Sequence, residues 1–315
     1  MVEIPDTSPD CGWAGIVGVH MGPRFQYLAL LALCLGGTAF LEVRFDARVW
    51  RRPLLVIQAL ALPWLVFNLA NEVAVFRGLW FYSATYTTGW TVPRRYPVEE
   101  MFFFVAIPLC ALLTFEAASA VYAGRVVPPW ARNRSHIAVA APVRPVVSRR
   151  WSAAVVASTT LALATLVLLV AVIQDARTDP VVRAGLRHDY VLLVNRFDYN
   201  LPEYPIIVVF LAAFVLAVEF GWWRTGIFRM RAYWSTMAIC LLFMIPVNGW
   251  LTKLSAPVVL YAQDEFSGFR PIWDIPLEDF GFGIALLTLV LMSWVRVIER
   301  NERSVKRRNE LASAV

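Results

Sequence analysis

The sequence predicts an all-α integral membrane protein with about seven transmembrane helices, built from two three-helix repeats of the same orientation joined by an extra span. Three observations predict this fold. Residues of the set AVILMFWYC make up 59% of the chain and charged residues only 17%, a balance for which lipid is the expected solvent. Seven apolar segments are long enough, or nearly so, to cross about 30 Å of hydrocarbon. Two parts of the chain also repeat the same order of features.

The apolar segments set the expected spans. They are placed at 25–41, 53–76, 98–122, 152–173, 204–222, 232–250 and 276–297. Most of the Arg and Lys residues fall in the loops after spans 1, 3 and 5 and in the C-terminal tail. Because cytoplasmic loops carry an excess of these residues, we expect a multi-pass protein of the cell membrane with its N-terminus outside and its C-terminus in the cytoplasm.

The cysteines and histidines give no indication of a redox motif or of a metal site within the membrane. The four cysteines show no C-x-x-C spacing and three lie inside apolar runs, as small buried hydrophobes do. The three histidines lie outside the apolar runs, so a haem or multi-histidine metal site within the membrane is not expected. Residues 1–20 lack the basic start and apolar centre of a secretory signal peptide, and Met21 is a hypothetical native start.

Two stretches carry the same features in the same order. The first runs from an apolar segment ending at Glu42, through an Arg-rich loop and a span, to the motif Pro97-Val98-Glu99-Glu100. The second runs from Glu219, through another Arg-rich loop and span, to Pro276-Leu277-Glu278-Asp279. We interpret them as repeats with span 4 between them, related by a pseudo-two-fold axis along the membrane normal. Both motifs then begin their helices on the outer side, where they can form one composite site.

The repeats divide the chain into five parts. We expect an N-terminal polar segment at 1–24, a first three-helix repeat at 25–123, a linker with the extra span at 124–202, a second three-helix repeat at 203–297, and a basic cytoplasmic tail at 298–315.

The two motifs supply the candidate catalytic residues. A proline followed by acids suits the first turn of any helix. The N–H that proline lacks is not needed there, and the positive end of the helix dipole stabilises the acids. A carboxylate in hydrocarbon costs several kcal/mol, however, unless it faces a polar cavity. Two adjacent acids at both equivalent positions exceed what capping requires. The candidate catalytic residues are therefore Glu99, Glu100, Glu278 and Asp279.

Other polar side chains fall at a similar depth and are candidate supporting residues. Asn68 and Glu72 are four residues apart in span 2 and share one helical face, and Asn248 holds a similar place in span 6. For each asparagine, an ordinary interhelical hydrogen bond is the alternative role. The motif prolines, Pro97 and Pro276, belong to the same candidate set. On the cytoplasmic side, pairing with loop arginines is expected for Glu42, Glu116 and Glu219.

The duplicated Pro-x-Glu-Glu/Asp motif, each copy followed by a Phe-rich apolar helix, resembles the membrane-integral lycopene cyclases. That family occurs as two subunits of three spans each or as one fused chain, and this sequence resembles the fused form. The resemblance implies a non-redox enzyme of the intramolecular lyase or isomerase type that closes ionone-type rings at the ends of lycopene. It also implies that the acids and prolines of both motifs are its functional residues. The long linker departs from a simple fusion.

The implied reaction sets demands on the acids. A proton adds to the terminal double bond, a neighbouring double bond attacks the resulting cation, and loss of another proton leaves the ring. One carboxyl must therefore hold a proton, and a second, ionised one can take the leaving proton. Neighbouring helical residues point about 100° apart, so we expect one acid from each motif to act. Aromatic candidates for stabilising the cation are Trp64, Phe102, Phe103, Trp273 and Phe280.

No cofactor is expected, because no G-x-G-x-x-G follows a strand-like segment, and no metal site is expected. The expected partners are a lipophilic polyene, lycopene or a related carotenoid, and the lipid bilayer. A second copy of the chain and other enzymes of the carotenoid pathway are further expected partners. Nucleic acid is not an expected partner. Two other classes stay open: a transporter with an acidic site at its repeat interface, and another membrane enzyme of prenyl or terpene chemistry.

Overall fold

The computed structural model describes residues 23–91, 96–124, 202–262 and 265–313. Within these ranges, six helices are long and apolar enough to cross a membrane. They are α1 (Gln26–Arg44), α2 (Pro53–Arg77), α3 (Val98–Tyr122), α4 (Glu203–Ala217), α5 (Arg231–Leu251) and α6 (Leu277–Ser313). A π-helical turn at Val218–Trp223 extends α4, and two short strands are β1 (Trp80–Tyr82) and β2 (Val259–Tyr261).

These helices coincide with six of the predicted spans. Their most apolar windows have a mean hydropathy of 1.5 to 2.3, as expected for helices that meet lipid or other helices on every side. The predicted span at 152–173 lies outside the described residues, as do nearly all of the linker and the proposed start at Met21. The last helix is longer than its predicted span, because from Arg300 onward it continues as an exposed charged helix.

The two halves of the chain repeat one three-helix arrangement and exchange their middle helices. Within each half the first helix packs on the third, α1 on α3 and α4 on α6. The middle helix α2 packs mainly on α6 of the other half, and α5 packs mainly on α3. The third helices, α3 and α6, also contact each other. The interface between the halves is therefore made by four helices, and each half completes the other.

The two strands, one from each half, form an antiparallel pair that also joins the halves. Phe81 stands opposite Leu260 at the centre, with Trp80 opposite Tyr261 and Tyr82 opposite Val259. Since β1 and β2 occupy equivalent places in the repeats, exchanging the halves maps this register onto itself. The pair lies where α3 and α6 begin, and we call this the sheet end of the bundle. The predicted repeat, with both halves in the same orientation, is thereby confirmed.

The acids at the opposite end stabilise loops. Glu42 accepts the Val49 N–H at 2.9 Å, and Glu219 accepts the Thr225 hydroxyl at 2.7 Å together with backbone N–H groups of the same loop. Glu116 accepts the indole N–H of Trp294 at 2.8 Å. The hydrogen bonds that the structure gives these three acids come from backbone N–H groups, a hydroxyl and an indole, and their pairing with loop arginines stays a prediction.

A glycine allows α4 and α6 to pack closely. A Cβ atom added at Gly281 meets Cγ1 of Val208 at 2.5 Å, closer than two carbon atoms can approach without displacement. We expect Gly281→Ala to lower the free energy of unfolding by about 1–3 kcal/mol through overpacking, measured by denaturant unfolding in detergent. Gly281→Ala combined with Val208→Ala should regain most of the loss. A single variant as stable as the wild type contradicts the close packing.

Candidate active site

Both acidic motifs begin a helix at the sheet end. Pro97 stands just before α3 in an extended conformation, and its carbonyl accepts the N–H of Glu100 at 3.1 Å. The Pro276 carbonyl accepts the N–H of Asp279 at the same distance. The carboxylates of both motifs are buried, with residue exposures of 0% for Glu99, 8% for Glu100, 6% for Glu278 and 5% for Asp279. Capping at a water-exposed helix start does not explain four buried acids.

The first acid of each motif holds the loop that precedes it. One Glu99 oxygen accepts the Thr88 N–H, and one Glu278 oxygen accepts the Ser267 N–H at 2.7 Å. The second oxygen of Glu99 and that of Glu278 are buried and have no hydrogen-bond partner among the residues that the structure describes. The two first acids therefore play matching roles, each with one oxygen committed to a loop.

The second acid of each motif accepts hydrogen bonds from buried side chains. Glu100 accepts the hydroxyl of Tyr27, which comes from α1. Asp279 accepts the hydroxyl of Tyr204 from α4 at 2.6 Å, that of Tyr261 from β2 at 2.8 Å, and the amide Nδ2 of Asn248 from α5 at 2.6 Å. Tyr27 and Tyr204 hold equivalent positions in the two repeats, so the same design occurs twice.

The two second acids belong to one cluster at the interface of the repeats. Burial raises the pKa of the Tyr261 phenol well above its usual value, and the carboxylates of both Asp279 and Glu100 add to the rise. Burial likewise raises the pKa of Tyr82, with Glu100 as the next cause. Both phenols therefore stay protonated at ordinary pH and act as donors. Tyr261 lies within electrostatic range of an acid from each repeat.

Buried and partly buried aromatic rings continue the cluster along α3 and α6. Phe104 lies one turn after Glu100, and Phe282 lies three residues after Asp279, so each ring shares a helical face with its acid. Phe282 meets Phe67 of α2 edge-on with ring centroids 5.0 Å apart. Phe67 and Phe104 are 0% and 1% exposed. An apolar, ring-lined interior thus adjoins the acids.

The predicted supporting residues differ in whether they contact a motif acid. Asn248 contacts a motif acid directly, whereas Asn68 donates to the Trp64 carbonyl and accepts the Tyr96 hydroxyl, both at 2.7 Å. Glu72 lies within electrostatic range of Tyr96. Asn68 and Glu72 therefore surround a tyrosine instead of a motif carboxyl.

Two of the predicted aromatic contributors are exposed, Phe102 by 54% and Trp273 by 66%. The contribution of the predicted rings to stabilising a cation stays a prediction. The rings that lie beside the acids were not predicted, nor were the tyrosines that bind them. One signal in the sequence indicates the tyrosines: Tyr27 and Tyr204 are separated by the same 177 residues as Glu42 and Glu219.

Within the described residues, no group of three or more His, Cys, Asp or Glu side chains is placed to hold a metal ion. The chemistry available at the sheet end is that of carboxyl groups, phenols, one carboxamide and aromatic rings.

The comparisons with known proteins agree with this arrangement. A family model described as lycopene cyclase matches residues 25–118 and 204–295, which together are more than half of the chain. The comparisons with curated proteins and with solved structures give no match. The two matched segments contain both acidic motifs and nearly all of the six long helices, apart from the last turn of α3, the first residue of α4 and the charged end of α6. The chain belongs to the lycopene cyclase family.

Proposed function

We propose that the protein closes ionone-type rings at the ends of lycopene by a proton-initiated cyclisation without net redox change. Membership of the lycopene cyclase family supports a carotenoid cyclase that acts on lycopene. The observation that carries the proposal further is the cluster of Glu100 and Asp279, two buried acids from different repeats that share one shell of tyrosines.

Glu100 and Asp279 act as the acid and base pair in this proposal. The acid adds its proton to the terminal double bond, which leaves a tertiary cation. The neighbouring double bond attacks that cation, and a carbon–carbon bond closes the ring. The base then removes a proton from the ring and restores a double bond. One proton enters and one leaves, so the product is an isomer of the substrate and no oxidant or reductant is consumed.

The surroundings of the acids suit a carbocation. Aromatic rings stabilise a nearby cation through their electron-rich faces. Phe104 and Phe282 follow the acids on α3 and α6, and Phe67 of α2 packs against both rings. The tyrosine hydroxyls hold the carboxyls in place without adding charge. The burial of both acids also keeps bulk water away from the cation, which water would otherwise trap as an alcohol.

The proposal includes an orientation. The Arg-rich loops lie at the end opposite to the sheet end, so we place that opposite end in the cytoplasm and the acids on the outer side of the cell membrane. A carotenoid is dissolved in the bilayer itself, and its end groups therefore reach a site at either face without passing through water.

Expression in a bacterial host that accumulates lycopene tests the function. We expect monocyclic or bicyclic carotene with the mass of lycopene, identified by chromatography and mass spectrometry. When isolated membranes convert lycopene in D₂O, the product should gain about one deuterium for each ring closed, because the acid exchanges its proton with solvent. Unchanged lycopene alongside folded protein in the membrane contradicts the proposal and favours the transporter. Rings formed without deuterium contradict a solvent-exchangeable acid.

A further inference from the structure

The two repeats differ in the hydrogen bonds of one equivalent pair of asparagines. Asn71 of α2 and Asn248 of α5 hold equivalent positions in the repeats. Asn248 donates its amide Nδ2 to Asp279 at 2.6 Å. Asn71 instead donates to the Tyr82 hydroxyl at 3.1 Å, and its oxygen accepts the indole N–H of Trp80 at 2.9 Å.

The residue at the start of each strand explains the difference. Trp80 begins β1, and the equivalent position at the start of β2 is Val259. An indole N–H only donates, so the Asn71 amide must turn its oxygen toward Trp80, and its nitrogen then points to Tyr82. Val259 offers no donor, and the Asn248 amide is free to direct its N–H groups at the acid. Trp80 is 4% exposed, so its indole N–H donates to Asn71 away from bulk solvent.

We propose that Trp80 is a positioning residue that makes two equivalent acids chemically different, with Asp279 as the ionised base and Glu100 as the proton donor. This inference rests on the proposed function. Hydrogen bonds donated to a carboxyl favour its ionised form. Asp279 receives such bonds from two phenols and a carboxamide. Because Trp80 donates to the Asn71 oxygen, the Asn71 amide does not donate a matching hydrogen bond to Glu100.

Other titratable groups also face the two acids, and each has a counterpart in the other repeat except Tyr96, whose equivalent position is Ile275. Tyr27 from α1, Tyr82 from β1, Tyr96 and the neighbouring Glu99 face Glu100. Tyr204 from α4, Tyr261 from β2 and the neighbouring Glu278 face Asp279, and the two acids face each other. The Tyr96 hydroxyl donates to Asn68, beside Glu72 of α2. Each acid accepts hydrogen bonds from two phenols, and only Asp279 also accepts one from a carboxamide.

The test uses isolated membranes, so that both faces meet the buffer, and follows the rate of lycopene cyclisation against pH. Trp80→Phe keeps a ring and removes only the indole N–H, which releases the Asn71 amide toward Glu100. We expect the rate at neutral pH to fall about tenfold, with the alkaline limb of the profile about one pH unit lower. Activity should return as the pH is lowered and Glu100 regains its proton.

A second substitution separates positioning from packing. In Trp80→Phe combined with Asn71→Leu, no carboxamide remains to bind Glu100, so the alkaline limb should return to its wild-type position. Trp294→Phe removes another buried indole N–H, one that donates to Glu116 at the opposite end, and should leave both limbs in place.

The outcomes distinguish the inference from the function on which it rests. A loss of rate in Trp80→Phe that is equal at every pH, or a shifted limb that persists in the double variant, overturns the role of Trp80 while the cyclase stands. A wild-type protein that forms no rings overturns the proposed function itself, and the role of Trp80 with it.

Discussion

Glu100→Gln and Asp279→Asn are each expected to lower ring formation by about 10²–10⁴-fold, the usual contribution of a positioned acid or base. Each substitution keeps the size of the side chain and an oxygen that accepts the tyrosine hydroxyls, but neither amide donates a proton to an alkene or removes one from a ring. The measurement is the initial rate of cyclisation in membranes with matched amounts of folded protein.

Two comparisons make this prediction specific. Glu116→Gln changes the same type of side chain on the same helix at the opposite end, where the oxygen accepts an indole N–H, and it should leave the rate within about twofold, as expected away from a catalytic site. Glu99→Gln and Glu278→Gln should have smaller effects than the second acids, because an amide oxygen still accepts the loop N–H. If these first acids are the ones whose loss abolishes the reaction, the assignment of Glu100 and Asp279 is wrong.

Arg77→Met should lower the free energy of unfolding by about 3–5 kcal/mol, because it removes one partner of a buried ion pair. Arg77 ends α2 in the first repeat and binds both carboxylate oxygens of Glu203, the first residue of α4 in the second repeat. The side chains are 17% and 7% exposed. Without the guanidinium, the Glu203 carboxylate stays buried and uncompensated close to Glu265, whose side chain accepts the Glu203 N–H.

The control for this prediction is an exposed pair. Arg48 contacts Asp46 with side chains 48% and 42% exposed, so Arg48→Met should leave the unfolding transition in detergent unchanged. Arg77→Met combined with Glu203→Met replaces the ion pair by apolar side chains and should recover most of the lost stability. A single Arg77→Met variant as stable as the wild type contradicts the pair as a link between the repeats.

The membrane fold followed from local properties of the sequence. Each span is an apolar run whose length matches the bilayer, and a helix in lipid must satisfy its own backbone hydrogen bonds, so hydropathy alone places six helices to within a few residues. The exception is the end of α6. Its charged residues from Arg300 to Ser313 favour water, but they are also good helix formers, and the helix continues past the membrane.

The repeat was also visible in the sequence, because it depends on the order of short motifs. The two-residue difference in spacing lies after the middle helices: the turn from Ala74 to Leu79 corresponds to the longer turn from Leu251 to Val258. A loop outside the helices accepts such an insertion at little cost. The equivalent positions beyond it still align, and Tyr82 and Tyr261 both lie 18 residues before the second acid of their motifs.

By itself, the sequence determined that this protein is a helical, duplicated membrane protein with two acids at each of two helix starts, because span length, hydropathy and motif order are properties of neighbouring residues. Only the tertiary structure decided which acid of each pair binds the tyrosines and which binds the preceding loop, since that depends on how α3 and α6 rotate against α1 and α4. It also decided that α2 and α5 pack on helices of the other half and that the indole of Trp80 donates to Asn71. These contacts join residues far apart in the chain, and their geometry arises from packing, which no local pattern specifies.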